Sequence, residues 1–107
     1  NPASWKTAEE ARDESKGVID MVSDDEIIEA YKMIAAHESV FAEPASASSF
    51  AGLLKYTRKG YFKNQKDITA VCILTGHGLK DPDNAVKNST KPTKVKADMK
   101  EIIEVIF

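Results

Sequence analysis

The run Ala70-Val71-Cys72-Ile73-Leu74 restricts the fold of this chain more than any other feature. Five small or branched apolar residues in succession, without alternation, predict a strand buried on both faces, as inside a parallel sheet. At Thr75 the chemistry changes, and Thr75-Gly76-His77-Gly78-Leu79-Lys80-Asp81-Pro82 follows at once. Gly76 and Gly78 permit a positive φ or a close approach of backbone to another group. Beside them stand a hydroxyl and an imidazole. In open α/β sheets, ligands bind just beyond the carboxyl ends of the strands. The stretch therefore reads either as the rim of a site or as a tight turn that only leads the chain out of a strand.

A length of 107 residues suits one small domain or a piece of a larger one. Hydrophobic residues make up 42% and charged residues 30%, enough for a core under an ordinary polar surface. No apolar run approaches the ~20 residues of a membrane span, and no secretory leader is visible. The single cysteine, Cys72, lies inside the apolar run and can form no internal disulfide. A cytoplasmic location is therefore expected. Charge is uneven: 4 Lys+Arg against 11 Asp+Glu in residues 1–50, and 11 against 6 in residues 51–107. The basic half raises nucleic acid as a partner. Its lysines are scattered without a binding motif, so a solvated surface is expected and no nucleic acid. The start, Asn1-Pro2-Ala3-Ser4-Trp5, lacks Met and suggests a fragment.

Along the chain, residues 4–15 predict a helix capped by Ser4, with Trp5, Ala8 and Ala11 or Arg12 at helical spacing and Gly17 ending it. Residues 18–22 predict a short strand. Ser23-Asp24-Asp25-Glu26 matches a capping box before a helix with the stripe Ile27, Ile28, Tyr31, Ile34 and Ala35, running to about His37. Capping and solvation explain that acidic cluster, so no metal is expected. Residues 40–42 read as extended. Pro44 opens a further helix with core residues Phe50, Leu53 and Leu54, closed by Gly60 after Lys55, Arg58 and Lys59. The small residues 45–51 let this helix start pack closely on a sheet or a ligand. The strand 68–74 follows, then a short helix capped at Asp81-Pro82-Asp83-Asn84 and a last one capped by Asp98 with the face Met99, Ile102, Ile103 and Ile106. Such alternation predicts an α/β class. Two clear strands are few for an independent sheet, a second sign of a missing remainder.

Three motifs then line up: Asn1-Pro2-Ala3-Ser4-Trp5, Val40-Phe41-Ala42-Glu43-Pro44-Ala45-Ser46-Ala47, and Leu74-Thr75-Gly76-His77-Gly78-Leu79-Lys80-Asp81-Pro82. Together they closely resemble the C-terminal part of the threonine synthases, a family of fold-type II (tryptophan synthase β-like) pyridoxal-phosphate enzymes. The resemblance covers roughly residues 1–90. Its Thr-Gly-His-Gly-Leu-Lys-Asp-Pro run is specific to these enzymes, whereas Glu-Pro-Ala-Ser is shared with threonine dehydratase-like relatives.

The resemblance implies the following. Residues 1–107 form the C-terminal portion of a large cofactor-binding domain, with helices flanking a mostly parallel sheet and a terminal helix over 98–107. The reaction is a β,γ-replacement: O-phospho-L-homoserine and water give L-threonine and phosphate, with pyridoxal phosphate as electron sink. The family's Schiff-base lysine sits in a Ser-Phe-Lys-Asp-type motif, and its phosphate cradle is a Gly/Asn-rich loop. Neither occurs here, and Lys80 has the wrong context for that lysine, so the chain alone is expected to be inactive. Thr75 corresponds to the residue that hydrogen-bonds the cofactor's pyridine nitrogen, a role suited to a neutral hydroxyl donor. Gly76 and Gly78 give the ring clearance, Glu43 either faces the ring or fixes its loop, and His77 shapes the turn. The family also implies a homodimer. Against this stand another dehydratase-like enzyme and a small non-catalytic α/β interaction module.

Overall fold

The computed structural model describes residues 3–107. Asn1 and Pro2 of the first motif lie outside them. The described residues form five α-helices: α1 (Trp5–Ser15), α2 (Asp24–Glu38), α3 (Ser48–Arg58), α4 (Pro82–Asn88) and α5 (Met99–Ile106). A 3₁₀ turn, Pro44–Ala47, runs directly into α3, and another, Gly78–Lys80, precedes α4.

The helix boundaries follow local chemistry. The Ser23 hydroxyl accepts the Glu26 N–H, and the Glu26 carboxylate accepts the Ser23 N–H at 2.7 Å, completing the expected capping box of α2. Gly60, at φ 75°, closes α3 from the left-handed region. Asp81 caps α4 by accepting the Asn84 N–H at 3.2 Å, and Asp98 caps α5. The Asp81 carboxyl is held below its ordinary range, first by the Asn84 side chain and then by that N–H. Ser4 precedes α1, but its side chain makes no cap bond. At the other end Lys16, not Gly17, takes the positive φ of 53°. The Gly17 N–H then returns to the Arg12 carbonyl at 2.8 Å.

The core lies where α2 crosses the Pro44–Ala47 turn and α3. It consists of Ala30, Tyr31, Ile34, Ala47 and Ala51, flanked by Val22, Ile27, Phe50 and Leu54. Alanines at the crossing let the backbones approach, and Tyr31 and Ile34 supply the volume. Ala30 takes the buried place expected of Ala35, which is exposed.

The predicted parallel sheet is not formed. Residues 18–22 and 68–74 carry no strand pairing, and among the described residues the one bridge is antiparallel, between Ala42 and His77. A strand exists through its neighbours' hydrogen bonds, and among the described residues these two segments form no bridge with each other. Their apolar side chains are accordingly uncovered: Val71 is 82% exposed and Ile73 70%. The face of α5 is likewise open, with Met99, Ile103 and Ile106 exposed. The radius of gyration, 18.7 Å, compares with ~13 Å for a compact domain of about 100 residues.

Residues 18–22 are instead tied to α3 by charge. Asp20 pairs with Lys55 at 2.9 Å and accepts from Tyr56 at 3.2 Å and from the Met21 N–H at 2.8 Å. Lys55 also donates to the Met21 carbonyl. The Lys55 hydrogen bond, followed by that from Met21, pulls the Asp20 carboxyl down to about 2. Its stabilisation is therefore complete above the ordinary carboxylate range and fades as pH falls through about 2. Thermal melts of the full-length protein between pH 5 and pH 2 are expected to show part of the acid destabilisation disappearing in Asp20→Asn, which is weaker than wild type at pH 5. Identical melting curves would remove this tie.

Candidate functional site

Two of the motifs meet through backbone pairing. The Glu43 N–H donates to the Gly76 carbonyl at 2.9 Å, and the Gly78 N–H donates to the Phe41 carbonyl at 2.9 Å. These bonds flank the Ala42–His77 bridge and lay residues 41–43 against 76–78. The contact is antiparallel and short because the Pro44–Ala47 turn and the Gly78–Lys80 turn diverge immediately beyond it. Pro44 opens the first of these, supplying a fixed φ where no N–H is needed.

Ser46 sits at the centre of the clasp. It is 4% exposed. Its hydroxyl accepts the Gly76 N–H at 2.6 Å and lies 3.0 Å from the Thr75 hydroxyl and 3.4 Å from a Glu43 carboxylate oxygen. Ser49, one turn on, donates to the Ile73 carbonyl at 3.1 Å. The start of α3 therefore holds the end of the apolar run by two serines.

The sequence-predicted residues converge here. Thr75 stands at the exposed rim, and Ser46 is its hydrogen-bond partner. Glu43 is folded inward, 14% exposed along its side chain, and pairs with Lys80 at 2.9 Å. The Lys80 ammonium is thus engaged by a carboxylate. His77 accepts the Leu79 N–H on Nδ1 at 3.2 Å and meets the Phe41 ring edge-to-face at 5.4 Å. These contacts make the imidazole a cap for the Gly78–Lys80 turn.

The glycines do something other than turn sharply. Neither Gly76 nor Gly78 has a positive φ. A Cβ on Gly76 would overlap the Glu43 carboxylate, and a Cβ on Gly78 would overlap the Phe41 ring. Both residues admit the opposite strand's side chains. Ser46 is the residue that sequence reasoning did not single out. It stands inside the small-residue run that signalled close packing, and its hydroxyl is distinguished from its neighbours only once Gly76 is brought across from 30 residues away.

An exposed hydroxyl, buttressed from behind by buried polar groups, suits a neutral hydrogen-bond acceptor such as a pyridine nitrogen. The family model for pyridoxal-phosphate dependent enzymes matches residues 2–76. The chain belongs to this family. The donor set at the clasp fits the ring-nitrogen end of such a cofactor. Among individual proteins, the threonine synthase of Bacillus sp. (strain ULM1) is 50% identical over 103 residues, 95% of this chain and 29% of that protein. The threonine synthase of Synechocystis sp. is 50% identical over 111 residues, 99% of this chain and 26% of that protein. That of Methanocaldococcus jannaschii is 44% identical over 106 residues, 99% and 26%. The chain thus spans less than a third of the length of these curated relatives.

The overlap at Gly76 yields a prediction for the full-length protein without cofactor. Gly76→Ala is expected to lower its unfolding free energy by about 1–3 kcal/mol, the usual cost of overfilling a packed contact. Adding Glu43→Ala opens the space, so the double variant should lose less than the two single losses combined. Denaturant titration measures both. Strict additivity would show that the Gly76–Glu43 contact is not what excludes the methyl group.

Proposed function

We propose that this chain is the C-terminal part of a threonine synthase, which converts O-phospho-L-homoserine and water to L-threonine and phosphate. The observation that carries the proposal is the exposed Thr75 hydroxyl on a braced clasp, in a chain of a pyridoxal-phosphate dependent family. The names of the relatives and the Thr75–Pro82 run support the choice of reaction.

When bound, pyridoxal phosphate supplies the electron sink for the replacement. This chain's part is to present Thr75 to the ring nitrogen. A neutral hydroxyl donates to that nitrogen without supplying a full proton, whereas an aspartate would hold it protonated. Gly76 and Gly78 make room for Glu43 and Phe41, and Glu43 fixes the loop through Lys80. The lysine that holds the cofactor and the loop that cradles its phosphate come from residues outside 1–107, so residues 1–107 alone have no activity.

The same reading assigns segments 18–22 and 68–74 to a mostly parallel sheet in the large domain. Their uncovered apolar side chains and the wide radius of gyration support it. It extends to a homodimer in the cytoplasm. Among the described residues no helix is long and apolar enough to cross a membrane.

The test is the full-length protein loaded with pyridoxal phosphate and given O-phospho-L-homoserine. Stoichiometric release of phosphate and L-threonine is expected. Thr75→Val should keep the cofactor, change its absorbance and lower kcat about three- to tenfold, the worth of one hydrogen bond to a neutral acceptor. Wild-type turnover by that variant would remove Thr75 from the site. Failure to form threonine would remove the reaction.

A further inference from the structure

The hydrogens of the clasp can be counted. The Ser46 hydroxyl has one hydrogen and two lone pairs. One lone pair is taken by the Gly76 N–H at 2.6 Å. Its hydrogen has two acceptors within reach, the Thr75 oxygen at 3.0 Å and a Glu43 oxygen at 3.4 Å. The first lies within the ordinary O–H···O range and the second outside it. Glu43 is meanwhile supplied by the Lys80 ammonium, at 3.2 Å on that same oxygen and 2.9 Å on the other. Either hydroxyl can donate in the Ser46–Thr75 pair, and the shorter distance favours Thr75 as the acceptor of the Ser46 hydrogen. With Ser46 donating, the Thr75 hydrogen is left for an acceptor on its exposed side.

We propose that Ser46 is a positioning residue: by donating to Thr75 it keeps Thr75 from donating inward, so that the Thr75 hydrogen is presented outward to a neutral acceptor, the cofactor's ring nitrogen. This rests on the assignment of Thr75 made above. The Gly76 amide orients Ser46, and the Glu43 oxygen at 3.4 Å is the more distant of the two acceptors. Without the Ser46 hydroxyl, the Thr75 side chain loses both its brace and the bias on its hydrogen.

The test reads the ring nitrogen directly. Full-length protein is loaded with pyridoxal phosphate ¹⁵N-labelled in the ring, and the ¹⁵N resonance is recorded. Thr75→Val is expected to move it toward the value of an unbonded pyridine nitrogen. Ser46→Ala should move it part of the way in the same direction, and should add nothing in the Thr75→Val background. Ser46→Cys, close in volume and a weaker donor and acceptor, should give a smaller move of the same sign; it also serves if Ser46→Ala does not fold. A resonance that stays at the wild-type value in the Ser46 variants while moving in Thr75→Val overturns the proposal and leaves the Thr75 assignment standing. Effects of Ser46→Ala that persist in the Thr75→Val background also overturn it, because they act by another route. No movement in Thr75→Val overturns both.

Discussion

One buried hydroxyl joins the two halves of this chain. Ser46 reaches Gly76 across 30 residues of sequence and Thr75 across 29. Remove it and the half-buried Gly76 N–H loses its acceptor, a loss that costs more than a hydrogen bond gains. The backbone bridge beside it contributes two further bonds, but two bonds without a sheet around them do not fix a loop. The serine also ties the clasp to the core. Ser46 precedes Ala47, which packs beneath Tyr31 and Ile34, so the position of the rim follows from the crossing of α2 and α3.

The glycines show how one sequence feature can have more than one physical reason. Two glycines around a histidine suggest a turn that needs positive φ, or clearance for a ligand. In the structure their φ values are ordinary, and their missing side chains make room for Glu43 and Phe41. Clearance for the carboxylate matters electrostatically as well. Glu43 lies close to the backbone of Gly76 and is paired with Lys80, which lets it fold inward rather than remain in water. An ion pair this close to the surface contributes little to stability. Its effect is on geometry: it holds the Glu43 carboxylate beside Gly76.

What the sequence made legible is what local chemistry decides. The capping box at Ser23, the Asp81 and Asp98 caps and the Gly60 stop involve partners within a few residues, and each is found where the spacing puts it. The apolar runs at 18–22 and 68–74 are equally clear as patterns, but a strand also needs hydrogen-bonding neighbours, and here Val71 and Ile73 stand open. The motifs around Glu43 and Thr75 meet in the structure through the pairing of residues 41–43 with 76–78. Ser46 was hidden because nothing in a run of Ala and Ser separates the hydroxyl that faces inward from those that face water. The distinction arises only from the register of residues 41–43 against 76–78.

That register also bears on the role proposed for a threonine at the rim. A hydroxyl is ambidextrous, and a solvent-facing threonine next to a backbone N–H and a carboxylate would turn its hydrogen toward whichever acceptor was nearest. In the proposed arrangement the nearest interior oxygen, that of Ser46, is itself a donor oriented by the Gly76 amide, and the carboxylate behind it is paired with an ammonium. In the proposed arrangement the hydrogen bond from Ser46 to Thr75 points outward, from the Gly76 amide toward the rim. A neutral side chain thereby acquires a preferred direction of donation without carrying charge, which a pyridine nitrogen left unprotonated requires of its partner. An aspartate in the place of Thr75 would bring a second carboxylate toward Glu43 and Ser46 and reverse that polarity, so the identity of the rim residue and the ion pair behind it are chemically linked.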